Sequence, residues 1–156
     1  MSVDLEGLES EPDSESGSSG GLGYVERVVA GPGVSLLLMA LVSLATWTGI
    51  QAGNADPFLL QPPFDEAWWR LPLSVFAHQN MAHLVGNATM VAVAGSLVAL
   101  FSGTVRYHVF FVISGILAGM AQVAATPALG EATPVLGPSG AALALLGSLI
   151  TANAVS

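Results

Sequence analysis

Four stretches of this chain contain no Asp, Glu, Lys or Arg: residues 33–50, 81–101, 107–125 and 135–156. Each approaches the roughly 20 apolar residues that carry an α-helix across a bilayer. The first, VSLLLMALVSLATWTGI after Gly33, is uniformly apolar and has no polar stripe. Helices buried in a soluble core need amphipathic partners to cover them, and the sequence offers none. The pattern therefore predicts an all-α, multi-pass membrane protein with four spans.

Composition sharpens that picture. Charged residues make up 9% of the 156 residues, against roughly 25% in soluble domains, and the mean hydropathy is +0.69. The net charge of -8 is a local property, because Asp4, Glu6, Glu9, Glu11, Asp13, Glu15 and Glu26 precede the first apolar run. Residues 1–26 mix these acids with Ser and Gly, a composition that buries too little surface to offset its ordering entropy. They are expected to form a disordered acidic tail, with residues 27–156 as the membrane domain. The tail lacks the basic n-region of a signal peptide. With no Lys and only three Arg, no basic face exists to neutralise phosphates, and nucleic-acid binding is set aside. The absence of Cys excludes disulfides and thiolate metal sites.

The arginines orient the bundle. Arg27 precedes the first span and Arg106 lies in the short connection between the second and third. Positive residues beside short loops favour the cytoplasmic side, which both reach only if the N-terminus is inside and residues 51–78 face outward. That outer segment, NADPFLLQPPFDEAWWRLPLSVFAHQN, is neither a polar connector nor a span. Trp68 and Trp69 suit the headgroup region, so the segment is expected to lie partly in the interface. Small residues recur four apart at Gly115 and Gly119, and again at Gly140, Ala144, Ser148 and Ala152. Such stripes let helix backbones approach closely in lipid. Taken alone they describe packing, not function.

Polar residues inside a membrane are costly and so become functional candidates. His83 and Asn87 stand four apart at the outer end of the second span and share a helical face. Ser139, in LGPSGAAL, sits at the start of the fourth span, where free N–H groups and the positive end of the helix dipole are exposed. Hydroxyl, imidazole, carboxamide and helix N-terminus thus reach the same side. Acyl transfer needs these types: a nucleophilic oxygen, a base, and donors for the oxyanion. Each signal alone has a structural reading, since Gly-x-Ser-Gly often starts a helix and His with Asn at i, i+4 often form a bonded pair. A soluble hydrolase elbow would need Gly-x-Ser-x-Gly after a strand, whereas position 141 is Ala. A zincin would need His-Glu-x-x-His.

The order of the motifs is more specific. Trp69-Arg70, Phe76-x-His78, His83-Leu84-x-x-Asn87, Gly95 and Gly137-x-Ser139-Gly140-Ala141 follow one another over residues 27–156. In this the chain resembles the rhomboid family of intramembrane serine proteases. The resemblance implies a six-span helical bundle of which four spans are present. It implies Ser139 as nucleophile, with His83, Asn87 and the Ser139 N–H stabilising the oxyanion. Arg70 would tie the outer loop to the bundle, and His78, Gly137 and Gly140 would support the site. The implied mechanism uses no metal and no cofactor, and the implied partners are transmembrane protein substrates in the lipid bilayer of the cell membrane.

Two features depart from the family pattern. The family's general base is a histidine on the sixth span, and no counterpart occurs here: His108 lies at the cytoplasmic end of the third span, and His78 and His83 lie before or on the second. The apolar run ending at Ser156 without a polar cap reads as a truncation, an incomplete gene or a fragment. Pro138 is the second departure, because a small or aliphatic residue usually precedes the nucleophile and proline there also occurs in inactive relatives. Proline is sterically comfortable in a first helical turn. The expected activity is hydrolysis of peptide bonds in or near transmembrane segments; the alternative is an inactive rhomboid-like protein that binds transmembrane helices.

Overall fold

The structure, a computed structural model, describes residues 23–54, 56–125, 137 and 139–154. Three helices are long and apolar enough to cross a membrane: α1 (Gly23–Gln51), α3 (Met81–Ser102) and α4 (Thr104–Ala125), with mean hydropathies of 2.2, 1.9 and 1.8. Between α1 and α3 lies a short helix, α2 (Arg70–Phe76). The last described helix, α5 (Ser139–Ala154), has 16 residues.

The expected spans are met with shifted boundaries. The first helix begins at Gly23, ten residues ahead of the expected span, so positions 23–26 are helical and not tail; the remainder of the expected tail lies outside the described residues. The fourth differs more. At 16 residues α5 is about 24 Å long, short of a hydrocarbon core of roughly 30 Å. It cannot start at residue 135 as expected, because Gly137 has φ +115°, a conformation incompatible with an α-helix. Where four spans were expected, the described residues thus hold three helices of crossing length and one shorter apolar helix.

Pro32 sits inside α1 and has no N–H to give the carbonyl four residues back. The helix widens there into a π segment, Val29–Gly33. A second π segment, Val91–Gly95, interrupts α3, and the two face each other. Gly31 packs against Ala99 and Tyr107, and Gly95 against Pro32 and Tyr107, so that a Cβ on Gly95 would lie 3.0 Å from the Tyr107 ring. A carbonyl of the widened turn, Ala30, is taken up by His108 Nε2 of α4 at 2.8 Å. At the same end, Gly103 (φ +84°) alone connects α3 to α4.

The segment between α1 and α3 packs on the bundle. Leu60, Ala67, Val75 and Ala77 are buried. Phe76 meets Phe111 of α4 with ring centroids 5.9 Å apart, while Trp68 and Trp69 stay exposed. The small residues provide the fit. A Cβ on Gly115 would lie 2.7 Å from Val75 and 3.3 Å from Ala141, and one on Gly140 would collide with Ala118. The glycine stripes are thus the contact surface between α4, α5 and the segment between α1 and α3.

Candidate active site

Ser139 is the first residue of α5 and half-buried. As an N-terminal helical residue its N–H has no intrahelical acceptor. Gly137, two residues earlier, is held on both sides. Its N–H donates to the Ser74 carbonyl of α2 at 3.0 Å, and its Cα lies so near His83 that a Cβ would stand 2.7 Å from His83 Cε1 and 3.3 Å from Nε2. The positive φ and the close approach together require glycine here. The Ser139 segment is thereby brought to the His83 ring. Pro138 lies outside the described residues.

His83 and Asn87 occupy the first turns of α3, whose first part, Met81–Met90, packs on α5. Asn80 caps that helix, its Oδ1 accepting from the His83 N–H at 2.9 Å, which anchors the turn carrying His83. Asn87 is 2% exposed, and its Nδ2 has no hydrogen-bond partner among the described residues. Buried amide donors are normally paired, so this N–H₂ is an unspent donor on the His83 face.

His78 stands beside this pair, fully buried. Its Nδ1 lies 2.8 Å from Ser43 Oγ of α1 and 3.1 Å from the Phe76 carbonyl. Its own carbonyl accepts from Trp47 Nε1 at 2.8 Å. The His78 and His83 rings meet edge to face, with centroids 5.3 Å apart and planes at 75°. Burial, reinforced by His83 and partly offset by the Phe76 carbonyl, lowers the His78 pKa from 6.5 to about 4.

Sequence reasoning had not singled out Ser43, Trp47 or Asn80. Ser43 and Trp47 are masked by the apolar run around them, although a polar atom within a span is a signal; Asn80 shows the N-cap pattern directly before an apolar helix. Gly140 serves packing against Ala118. Arg70 opens α2, but its Nε makes no hydrogen bond among the described residues. His108 is remote from the group, bound to Ala30 at the opposite end.

Gly137, His83 and His78 are thus in contact where α2, α3 and α5 meet, with α1 bracing them; Ser139 follows Gly137 by two residues and Asn87 follows His83 by one helical turn. A serine hydroxyl, a helix N-terminal N–H without an intrahelical acceptor, an unpaired carboxamide donor and an imidazole are the group types that suit the stabilisation of an oxyanion. Comparison with protein families gives a match to the Rhomboid domain over residues 65–155, more than half of the chain and including every one of these five residues. No curated protein and no solved structure matches. Three membrane-length helices, the site at one end of the bundle and the family match lead to one conclusion: this multi-pass membrane protein belongs to the rhomboid family.

Proposed function

We propose that the chain acts in intramembrane serine proteolysis, hydrolysing peptide bonds in or near transmembrane segments of other membrane proteins, with its N-terminus on the cytoplasmic side of the cell membrane. Ser139 Oγ attacks the peptide carbonyl carbon and gives its proton to a base histidine. The resulting oxyanion is held by the Ser139 N–H, Asn87 Nδ2 and His83. Collapse breaks the C–N bond, the proton passes from the base to the amine, and water then hydrolyses the acyl-enzyme. Gly137 supports this reading: held between the Ser74 carbonyl and His83, it stands two residues before Ser139 and against the helix on which Asn87 keeps an unpaired donor.

By the family resemblance the base histidine belongs to a sixth span. Of the three imidazoles here, His108 is committed to Ala30 and His78 to Ser43 and Phe76, and His83 takes the oxyanion role in this reading. Ser139 of the 156-residue chain should therefore react only slowly with a fluorophosphonate probe, since an unassisted hydroxyl is a poor nucleophile. Fusion of the fifth and sixth spans of a related rhomboid after Ser156 should restore labelling, and Ser139→Ala should abolish it. A correctly inserted fusion that stays unlabelled, even with Pro138→Ala, would favour the other reading: a rhomboid-like protein that binds transmembrane helices without cleaving them.

A further inference from the structure

Beside the two π segments an apolar groove of about 350 Å³ opens between α1 and α3. Val28, Pro32, Gly33 and Leu37 form one wall, and Ala92 and Ser96 the other. The sequence makes this room: Gly33 has no side chain and Ala92 only a methyl, and each lies in the segment where its helix widens. Ser96, the one hydroxyl on the walls, is spent on the Ala92 carbonyl. A ligand in the groove therefore meets apolar surface along its length.

Both walls end at one cation. Arg27 directly precedes Val28 on α1, Leu100 stands one turn beyond Ser96 on α3, and Arg27 Nη1 donates to the Leu100 carbonyl at 3.0 Å. A guanidinium carries five N–H groups; the side chain is exposed, and its other donors have no partner among the described residues. From Val28 to Leu37 the groove runs about 14 Å along α1, close to half of a hydrocarbon core of roughly 30 Å. A cation at the membrane surface with an apolar trough one leaflet deep has the layout of a phospholipid of opposite charge. We infer that the α1–α3 groove is a binding site for an anionic phospholipid, whose phosphate is held by Arg27 while one acyl chain fills the space beside Gly33 and Ala92. The lipid braces α1 against α3 at the level where both helices are widened. A second copy of the chain is a poorer occupant, because a two-fold contact through this groove brings two Arg27 guanidinium groups together. Nothing in this site depends on Ser139 or on cleavage.

Native mass spectrometry of the full chain, purified in detergent and stripped of lipid, reads this directly. One added phosphatidylglycerol should be retained about fivefold more strongly than phosphatidylcholine with the same acyl chains, the weight of one Arg near an anionic surface. Arg27→Gln should bring the two lipids level, and Arg106→Gln should not. Ala92→Phe, which fills the groove, should weaken retention of both. Inorganic phosphate should displace no more lipid than chloride at equal ionic strength, since the acyl chain is what it cannot replace. Equal retention of the two lipids by the unaltered chain would overturn the inference, whether or not the variants fold. So would a folded Arg27→Gln that keeps the preference, or an Arg106→Gln that loses it, the mark of diffuse charge attraction. A dimer that Ala92→Phe breaks would overturn it too, and would give the groove to a second copy of the chain.

Discussion

Arg27 of α1 donates from Nη1 to the Leu100 carbonyl of α3 at 3.0 Å. A guanidinium near a helix C-terminus satisfies one of its orphan carbonyls and complements its dipole. The contact puts the start of α1, the end of α3 and the Gly103 turn at one end of the bundle, as the positive-inside argument requires of Arg27 and Arg106. The chain has no Cys, so single cysteines report the orientation. In intact cells Asn54→Cys should be labelled by a membrane-impermeant thiol reagent, and Ser102→Cys only after permeabilisation. The reverse pattern would refute a cytoplasmic N-terminus.

Two glycines of α5 should respond in opposite ways to the same change. Gly140 lies directly on Ala118, whereas a Cβ on Gly147 would meet nothing within 4 Å. Gly140→Ala should push α5 from α4 and destabilise the fold by about 1–3 kcal/mol. Gly147→Ala should be neutral or stabilise by up to about 1 kcal/mol through helix propensity. Thermal melting in detergent, run on both variants, distinguishes a packing stripe from mere small-residue content.

Gly137→Ala should damage the site more than the bundle. The positive φ of +115° costs a residue with a Cβ about 1–3 kcal/mol, and that Cβ would press on His83 Cε1. In the six-span fusion this variant should lose most Ser139 labelling while still inserting. Asn87→Ala, which removes one oxyanion donor and leaves others, should reduce substrate turnover by about 10²-fold or less. Equal turnover in Gly137→Ala and the parent would remove the support that the Gly137 geometry lends to the protease reading.

His78 ties stability to pH. Its pKa is about 4 when folded and near 6.5 when unfolded, so between those values the unfolded chain binds more protons. Stability then rises with pH across that window, and is lost as the pH falls from about 6.5 toward 4. The full effect is on the order of 3 kcal/mol. His78→Phe should flatten the slope of melting temperature against pH between 4 and 6.5. An unchanged slope would show that His78 is not buried as a neutral imidazole.

Membrane residence, the helical class and the order of the motif residues could be read from the sequence, because each is a local property. An uncharged run of span length has nowhere else to go, and Trp69-Arg70, His83-x-x-x-Asn87 and Gly137-x-Ser139 are recognisable at fixed spacing. Charge alone placed Arg27 and Arg106 on one side of the bundle, but not the bond from Arg27 to the Leu100 carbonyl. What the tertiary structure decided lies between elements. That α1 widens at Pro32 to pack on the π segment of α3, and that α5 begins only at Ser139, follow from how backbones meet. Ser43 and Trp47 were invisible as site supports because 35 and 31 residues separate them from His78, and no local pattern encodes a contact across that distance. The burial of His78 belongs to the same class: a sequence supplies an imidazole, but the hydroxyl and carbonyl set against its Nδ1 are brought there by the fold.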